Sequence, residues 1–349
     1  MPNAECYQTS LATEQISADW DQYVLGHAEG TLFHLSQWKR VVEKSFGHKA
    51  HYLAAYEQAA GTLVGILPLF EVKSALFGHF LVSVPFAELG GGLADSPVVE
   101  SLLTNQATEL CRRCGASYLE LKNRQPRDGL ATKSLYFNFS RPILDTSEQN
   151  LLAIPRKSRA MVRKGIKAGL KAEWGHDHLD EFYRILAKNY HRLGTPIFPK
   201  RFFKTFLEEF ADQANLTVIR KASGESVAAV MTFFYQDRIM PYYAGSLAEY
   251  RDTAPNDFMY WALMEYGCEH GCKTFDFGRS KAETGSFAFK KNWGFEPRPL
   301  AYQYAVVRGD ALPDLSPSNP KYRKKIELWR KMPFGLTKLV GPSLAKYLA

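Results

Sequence analysis

Residues 36–46, Ser36-Gln-Trp-Lys-Arg-Val-Val-Glu-Lys-Ser-Phe46, place apolar side chains at the spacing of an amphipathic helix. Two apolar segments follow, His51-Tyr-Leu-Ala-Ala-Tyr56 and Thr62-Leu-Val-Gly-Ile-Leu-Pro-Leu-Phe70, and Gly61 lies between them. Apolar and β-branched runs on either side of a glycine-containing turn indicate a β-hairpin. This part of the chain therefore predicts a helix followed by two antiparallel strands.

The same order of parts returns further along the chain. Residues 200–210 predict a helix, and Leu216-Thr-Val-Ile-Arg220, a turn at Ser223-Gly224 and Ser226-Val-Ala-Ala-Val-Met-Thr-Phe-Phe234 predict a hairpin. Each copy continues with a strand, a helix and a further strand: residues 80–85, 98–114 and 117–122, then residues 239–244, 257–270 and 274–278. Because the offset of roughly 160 residues is nearly constant, a duplicated unit explains the pattern better than coincidence.

The repeated order of elements resembles the Gcn5-related N-acetyltransferase (GNAT) fold. The expected class is α/β (α+β), with two tandem GNAT-like (acyl-CoA N-acyltransferase-type) domains, each a mixed central sheet flanked by helices. We expect residues 1–150 to form the first domain and residues 151–308 the second, which holds the candidate active site. Residues 309–349 read as a basic tail punctuated by Pro313, Pro317 and Pro320.

Composition places the chain among ordinary globular proteins of two domains. Of its 349 residues 46% are hydrophobic and 23% charged, and the formal net charge of +8 suggests an anionic partner. The apolar stretches are too short to span a membrane. Residues 1–20 lack the basic and apolar regions of a secretory signal, and five scattered cysteines suit a reducing compartment, so we expect a cytoplasmic protein. Cys111 and Cys114 have CxxC spacing but lie in a helical run without a second such pair, and no metal site is predicted.

Pro142 to Asn150 read as the connection between the two copies, and a basic segment follows at the start of the second copy. Residues 156–171 contain seven basic residues and no acid, and Arg159, Arg163, Lys167 and Lys171 share one helical face. This face is either simply solvated or neutralised by an anionic ligand, because like charges four residues apart repel.

The segment Phe275-Asp-Phe-Gly-Arg-Ser-Lys-Ala-Glu-Thr-Gly-Ser-Phe-Ala-Phe-Lys-Lys-Asn-Trp-Gly-Phe295 carries the candidate chemistry. In a strand Phe275 and Phe277 point to one face and Asp276 to the other. Lys290 is a candidate for stabilising the negative charge that develops on a reacting carbonyl. Asp276 is a candidate base and Tyr243, with Tyr242 as the alternative, a candidate acid. The expected substrate-binding residues are Arg279, Ser280, Lys281, Arg159, Arg163, Thr195 and Trp293, although Trp293 also fits a core position.

These residues resemble the FemAB transferases, and more narrowly the FemAB-like proteins associated with PEP-CTERM/exosortase (XrtA) gene clusters. The resemblance rests on Arg156-Lys-Ser-Arg with Arg163-Lys-Gly, on Arg192-Leu-Gly-Thr-Pro-Ile-Phe-Pro, and on Asp276-Phe-Gly-Arg-Ser-Lys with Gly285-Ser-Phe-Ala-Phe-Lys-Lys-Asn-Trp-Gly-Phe295. It implies transfer of an aminoacyl or related acyl group to an anionic or lipid-linked cell-envelope precursor. It also implies a carbonyl-steadying role for Lys290 and a phosphate-binding role for Arg159 and Arg163. A coiled-coil arm typical of several family members is missing between residues 156 and 216.

Three alternatives stay open on sequence alone. The donor is either aminoacyl-tRNA or acyl-CoA, and the acceptor is either a peptidoglycan or an exopolysaccharide intermediate. We expect no tightly bound cofactor and no DNA partner. An acyl-CoA N-acetyltransferase would need amides at a Gly-rich loop, for which Gly90 to Gly92 are candidates, while residues 247–256 contain no glycine. A non-catalytic adaptor for a polyanion or membrane surface is the third possibility, because residues 321–331 are basic and aromatic. In that case the tail makes peripheral contact with the inner face of the membrane, or it docks on its own domain.

Overall fold

A computed structural model describes residues 4–12, 17–75, 77–309, 312 and 320–348. The chain forms two compact units, unit 1 (Met1–Leu135, Pro299–Leu315 and Lys346–Ala349) and unit 2 (Tyr136–Arg298 and Ser316–Ala345). These limits differ from the predicted 1–150, 151–308 and 309–349. The difference arises because a strand after Leu135 joins the sheet of unit 2 and a strand after Pro299 joins a sheet of unit 1. Most of the predicted linker, including Pro313 and Pro317, lies outside the described residues.

The described residues of unit 1 form two sheets and three α-helices. One sheet has the strand order β1-β3-β4-β7 and the other β2-β5-β6-β8-β17-β9. The helices are α1 (Ser17–Gly26), α2 (Ser36–Phe46) and α3 (Pro97–Arg113). The strands are β1 (Tyr7–Leu11), β2 (Lys49–Ala50), β3 (Leu53–Glu57), β4 (Leu63–Leu67), β5 (Phe70–Ser74), β6 (Gly78–Val82), β7 (Leu93–Ala94), β8 (Tyr118–Asn123), β9 (Ala131–Lys133) and β17 (Ala301–Val306).

Unit 2 is built around one seven-stranded sheet, ordered β11-β12-β13-β14-β15-β10-β16. Its strands are β10 (Tyr136–Pro142), β11 (Lys171–Trp174), β12 (Ala214–Arg220), β13 (Ser226–Tyr235), β14 (Arg238–Ser246), β15 (Thr274–Lys281) and, at the edge, β16 (Pro297–Pro299). Its helices are α4 (Ser147–Ala153), α5 (Arg156–Lys167), α6 (Leu179–Leu193), α7 (Lys200–Phe210), α8 (Pro255–Glu269), α9 (Gly285–Asn292), α10 (Pro320–Lys331) and α11 (Phe334–Ala345).

The predicted fold class is confirmed, since both units contain the repeated helix, hairpin, strand, helix and strand. Gly115 and Gly271 follow α3 and α8 with φ of +72° and +75°, the left-handed conformation that ends a helix. The predicted strand 62–70 is wrong in one respect, because it is two strands that belong to different sheets of unit 1. Pro68 lies between them, and its lack of an N–H donor interrupts the ladder.

The core of unit 2 packs α5 and α8 against the sheet. Trp261, Leu263, Phe275, Phe277 and Trp293 belong to one buried cluster there. None of the helices in the described part of the chain combines the length and apolar character needed to cross a membrane.

Candidate functional site

A gap between two parallel strands of unit 2 forms the centre of the candidate site. β14 and β15 pair only at Arg238 with Thr274 and at Ile239 with Phe275. Both strands continue, to Ser246 and Lys281, without further pairing to each other. The strand edges therefore separate beyond Phe275 and leave backbone groups that a ligand can approach.

A bulge in β15 shapes one side of this gap. Its register with β10 shifts between the pairs Asn138–Arg279 and Ser140–Asp276, so two residues of β15 face one residue of β10. Gly278 adopts a φ of +65° within the bulge, a conformation that costs glycine little. Asp276 is 7% exposed, and its Oδ1 accepts hydrogen bonds from Gly278 N–H and from the Asn138 side chain, both at 2.9 Å. The carboxylate therefore holds the bulge in place.

Lys290 holds the same bulge through its carbonyl groups. Its Nζ donates to the carbonyl oxygens of Phe277 at 2.7 Å, Gly278 at 3.0 Å and Arg279 at 3.0 Å. An ammonium group has three N–H donors, so these contacts use all of them. The side chain is 8% exposed and reaches β15 from α9. In this arrangement Lys290 positions the backbone of β15, and its ammonium does not point at an unoccupied acceptor site.

Two buried hydroxyl groups flank the gap without a hydrogen-bond partner in the described part of the chain. They are Tyr243 Oη on β14 and Ser280 Oγ on β15, in residues that are 6% and 4% exposed. A buried hydroxyl without a partner costs free energy, and each of these two hydroxyls is able to donate or accept a hydrogen bond. The ring of Tyr243 packs against Phe198, Phe202 and Phe203, with centroids 5.3 to 5.9 Å away.

Burial raises the pKa of Tyr243 well above its ordinary value, nearby Tyr190 raises it further, and Arg279 opposes the rise. Tyr243 therefore stays protonated at neutral pH and is able to donate a hydrogen bond. Arg279 is partly exposed, and its guanidinium lies 4.6 Å from the ring centroid of Tyr136. Tyr243 therefore lies on the β14 side of the gap, and Arg279 and Ser280 lie on the β15 side. Lys281 lies at the end of β15, where its carbonyl oxygen accepts from Thr284 Oγ1 at 2.7 Å.

Trp293 is a core residue. Its side chain is fully buried, and its Nε1 donates to Asp257 Oδ1 at 2.9 Å. Asp257 is the third residue of α8, so its carboxylate lies at the positive end of that helix. Burial raises the pKa of Asp257, and the hydrogen bond from Trp293 opposes the rise. We find no polar contact that directs Trp293 toward the gap among the described residues.

Arg159 and Arg163 lie on α5, which packs against α8. Val162 and Gly165 form the buried face of α5, where a side chain at Gly165 would approach Phe258 of α8 to 2.7 Å. Arg163 is exposed, and Arg159 donates to the carbonyl oxygen of Leu152 at 2.8 Å. Neither arginine bonds to β14 or β15 within the residues that the structure describes.

Thr195 follows the end of α6 and is exposed. Its backbone N–H donates to Tyr190 O at 2.9 Å. Near it, His191 Nδ1 lies 3.0 Å from Thr337 Oγ1, and Arg330 donates to Leu193 O at 3.0 Å. The loop after α6 is therefore the place where α10 and α11 dock.

The backbone of the glycine triplet Gly90 to Gly92 in unit 1 is hydrogen bonded to β8. The N–H groups of Gly90 and Gly91 donate to Lys122 O at 3.2 and 3.1 Å, and Gly91 O bonds to His34 Nε2 at 3.0 Å. Burial lowers the pKa of His34 to about 4, so the imidazole is neutral at pH 7. These two amides are not available as a phosphate cradle.

Unit 1 also contains a group with metal-ligand character that the sequence did not suggest. Ligand atoms of His51, Glu71 and Cys114 lie within 4.8 Å of one another. Glu71 bonds to His51 Nε2 at 3.1 Å and to His79 Nε2 at 2.8 Å. Both carboxylate oxygens are thus hydrogen bonded already, which accounts for the group without an ion.

Part of the chain resembles known acetyltransferase domains and glycyltransferases. Residues 156–291 match the family model described as an acetyltransferase (GNAT) domain. A lipid II:glycine glycyltransferase of Staphylococcus epidermidis is 31% identical over 91 residues, which are 24% of this chain and 22% of that protein. The corresponding protein of Staphylococcus haemolyticus is 30% identical over 95 residues, 25% of this chain and 22% of that protein. The match therefore spans less than a quarter of these relatives.

Solved structures extend the likeness to most of the chain. The crystal structure of FemX aligns with a TM-score of 0.62 at 17% identity and covers 85% of this chain and 97% of its own. A tandem GNAT protein from the clavulanic acid biosynthesis pathway aligns with a TM-score of 0.56 at 12% identity, over 87% and 99%. At such identities the alignments show the fold alone. The chain thus has the tandem GNAT fold, and within it residues 156–291 match the model of an acetyltransferase (GNAT) domain.

Proposed function

We propose that the chain transfers an aminoacyl or related acyl group to a lipid-linked or nucleotide-linked cell-envelope precursor, in the gap between β14 and β15. One observation carries the proposal: Tyr243 and Ser280 bury hydroxyl groups beside the gap without partners. An acyl group in the gap would give both hydroxyls a carbonyl or amine to bind. The resemblance to lipid II:glycine glycyltransferases favours an aminoacyl donor and a lipid II-like acceptor.

In the proposed reaction an amine of the acceptor attacks the donor's ester carbonyl, which forms the new amide bond and breaks the ester bond. The amine loses one proton and the leaving ribose oxygen gains one, so the step balances when Tyr243 Oη donates its proton to the ribose oxygen and takes one from the amine. Tyr243 is the candidate for this transfer because burial keeps its hydroxyl protonated at neutral pH. The Ser280 hydroxyl is the candidate donor of a hydrogen bond to the developing oxyanion. Asp276 and Lys290 fix the bulge from which Ser280 projects, and Arg279 supplies positive charge at the same gap.

Acyl-CoA is the weaker donor candidate on chemical grounds. GNAT-type binding of CoA places the pyrophosphate on free amides at a helix N-terminus. Here α8 begins with Pro255, which has no N–H, and Asp257 adds a carboxylate in its first turn. That carboxylate would repel a pyrophosphate group.

The proposal is tested by mass spectrometry of reactions that contain the full chain, lipid II and either a mixture of aminoacyl-tRNAs or acetyl-CoA. We expect lipid II to gain the mass of one aminoacyl residue with the tRNA mixture and none with acetyl-CoA. An acetylated product would instead identify a CoA-dependent enzyme. A parallel reaction replaces lipid II with an exopolysaccharide lipid intermediate. Transfer to that intermediate and none to lipid II would identify the acceptor suggested by the resemblance to exosortase-associated FemAB proteins.

A further inference from the structure

The last two helices of the described chain expose apolar side chains in an unusual arrangement. On α11 the buried residues are Thr337, Gly341 and Ala345, which are small and recur every fourth position. Its large apolar residues point outward, with Leu336 44%, Leu339 76% and Val340 36% exposed. Residues at i, i+3 and i+4 share one helix face, so these three form a single stripe. A surface helix of a globular domain normally has the opposite polarity.

The outward face is not the result of a loosely attached tail, because small residues and specific bonds hold both helices to unit 2. A side chain at Gly194 would lie 2.6 Å from Ile326 Cγ2, and one at Gly341 would lie 3.0 Å from Ile197 N. Arg330 and Thr337 bond to Leu193 and His191 as described above. The stripe is therefore presented to the outside by a docked helix.

Both helices also expose basic residues. The exposed side chains of α10 include Lys324, Lys325 and Lys331, with Leu328 64% exposed among them. Lys338 is exposed on α11. In residues 320–348 the sole acid is Glu327, against eight lysines and arginines. Exposed leucines and an excess of lysines on the same pair of helices match the interface of a bilayer that contains anionic lipids, where leucines enter the headgroup region and lysines meet phosphates.

We infer that α10 and α11 form a membrane-docking surface that binds bilayers containing anionic phospholipid. Two features favour a bilayer over a second protein: the positive charge of both helices, and leucines that stand out from a convex helix face instead of lining a groove. This inference does not depend on the identity of the acyl donor. Combined with the proposed function, it would place the enzyme at the membrane that carries a lipid-linked acceptor.

The inference is tested by flotation of the full chain with vesicles of phosphatidylcholine alone or with about one third phosphatidylglycerol. We expect flotation with the anionic vesicles, and at least about tenfold weaker binding to the neutral ones and at high salt. The double substitution Leu336→Ser with Leu339→Ser should weaken binding to anionic vesicles by about tenfold or more, because two leucines no longer enter the lipid. Lys324→Gln, Lys325→Gln and Lys331→Gln together should weaken it similarly.

Leu25→Ser with Leu152→Ser is the matched control, since these leucines are 52% and 55% exposed on other helices. The control should float like the parent chain, and all variants should keep its melting temperature. Failure of the parent chain to float with anionic vesicles at low salt would overturn the inference. Equal flotation of the Leu336/Leu339 variant, or a stable dimer that this variant disperses, would also overturn it, the latter in favour of a second copy as the occupant.

Discussion

Replacing Lys290 with methionine is expected to lower the free energy of unfolding by about 3 kcal/mol or more. The substitution removes the donor for the carbonyl oxygens of Phe277, Gly278 and Arg279, and each buried group left without a partner costs about 1–3 kcal/mol. The β15 bulge should loosen, and transfer activity should fall with the stability. Urea unfolding followed by intrinsic fluorescence measures the change in stability.

Lys291→Met is the control for this substitution, because Lys291 is the exposed neighbour on the same helix. It should change stability by less than about 0.5 kcal/mol. A Lys290→Met protein that unfolds like the parent chain yet has lost transfer would contradict the positioning role. The lysine would then act on the reacting carbonyl, as the sequence resemblance implies.

Tyr243→Phe should separate activity from stability. The substitution deletes a buried hydroxyl that has no partner, so stability should stay the same or rise by up to about 1 kcal/mol. The value of kcat/KM should fall by about 10²-fold or more, as expected when a proton donor is removed. Melting temperature and steady-state kinetics on the same preparation provide both values.

Tyr52→Phe is the matched control, because Tyr52 of unit 1 is 6% exposed and its hydroxyl likewise has no partner in the described part of the chain. It should change stability in the same direction and leave transfer unchanged. Full activity of Tyr243→Phe would show that this hydroxyl takes no part in the reaction.

The duplicated fold could be predicted from the sequence because each copy carries its own periodic pattern. The partners of two strands could not. The sequence pattern groups residues 136–142 with the first domain or with the connection after it, yet they form β10 beside β15 of unit 2. It groups residues 301–306 with the second domain, yet they form β17 beside β8 of unit 1. Alternation of apolar residues predicts a strand, but the strand next to it depends on contacts distant in sequence.

The location of the candidate site can be predicted from the polar residues in its sequence. The geometry of the site cannot be predicted in this way. Gly278 inside an apolar strand was the available signal for a bulge. The hydrogen bonds of Asp276 and Lys290 to this bulge follow from the three-dimensional structure alone. The missing partners of Tyr243 and Ser280 depend on how two strands separate, which no sequence pattern reports.

The central claim is that the acyl group of the donor lies between β14 and β15. Photo-crosslinking tests it most directly, with a tRNA charged with a photoreactive phenylalanine derivative and the cross-linked peptides identified by mass spectrometry. The account predicts cross-links to β14 or β15, which the uncharged tRNA does not produce. Cross-links confined to residues of unit 1, with none on these two strands, would contradict it.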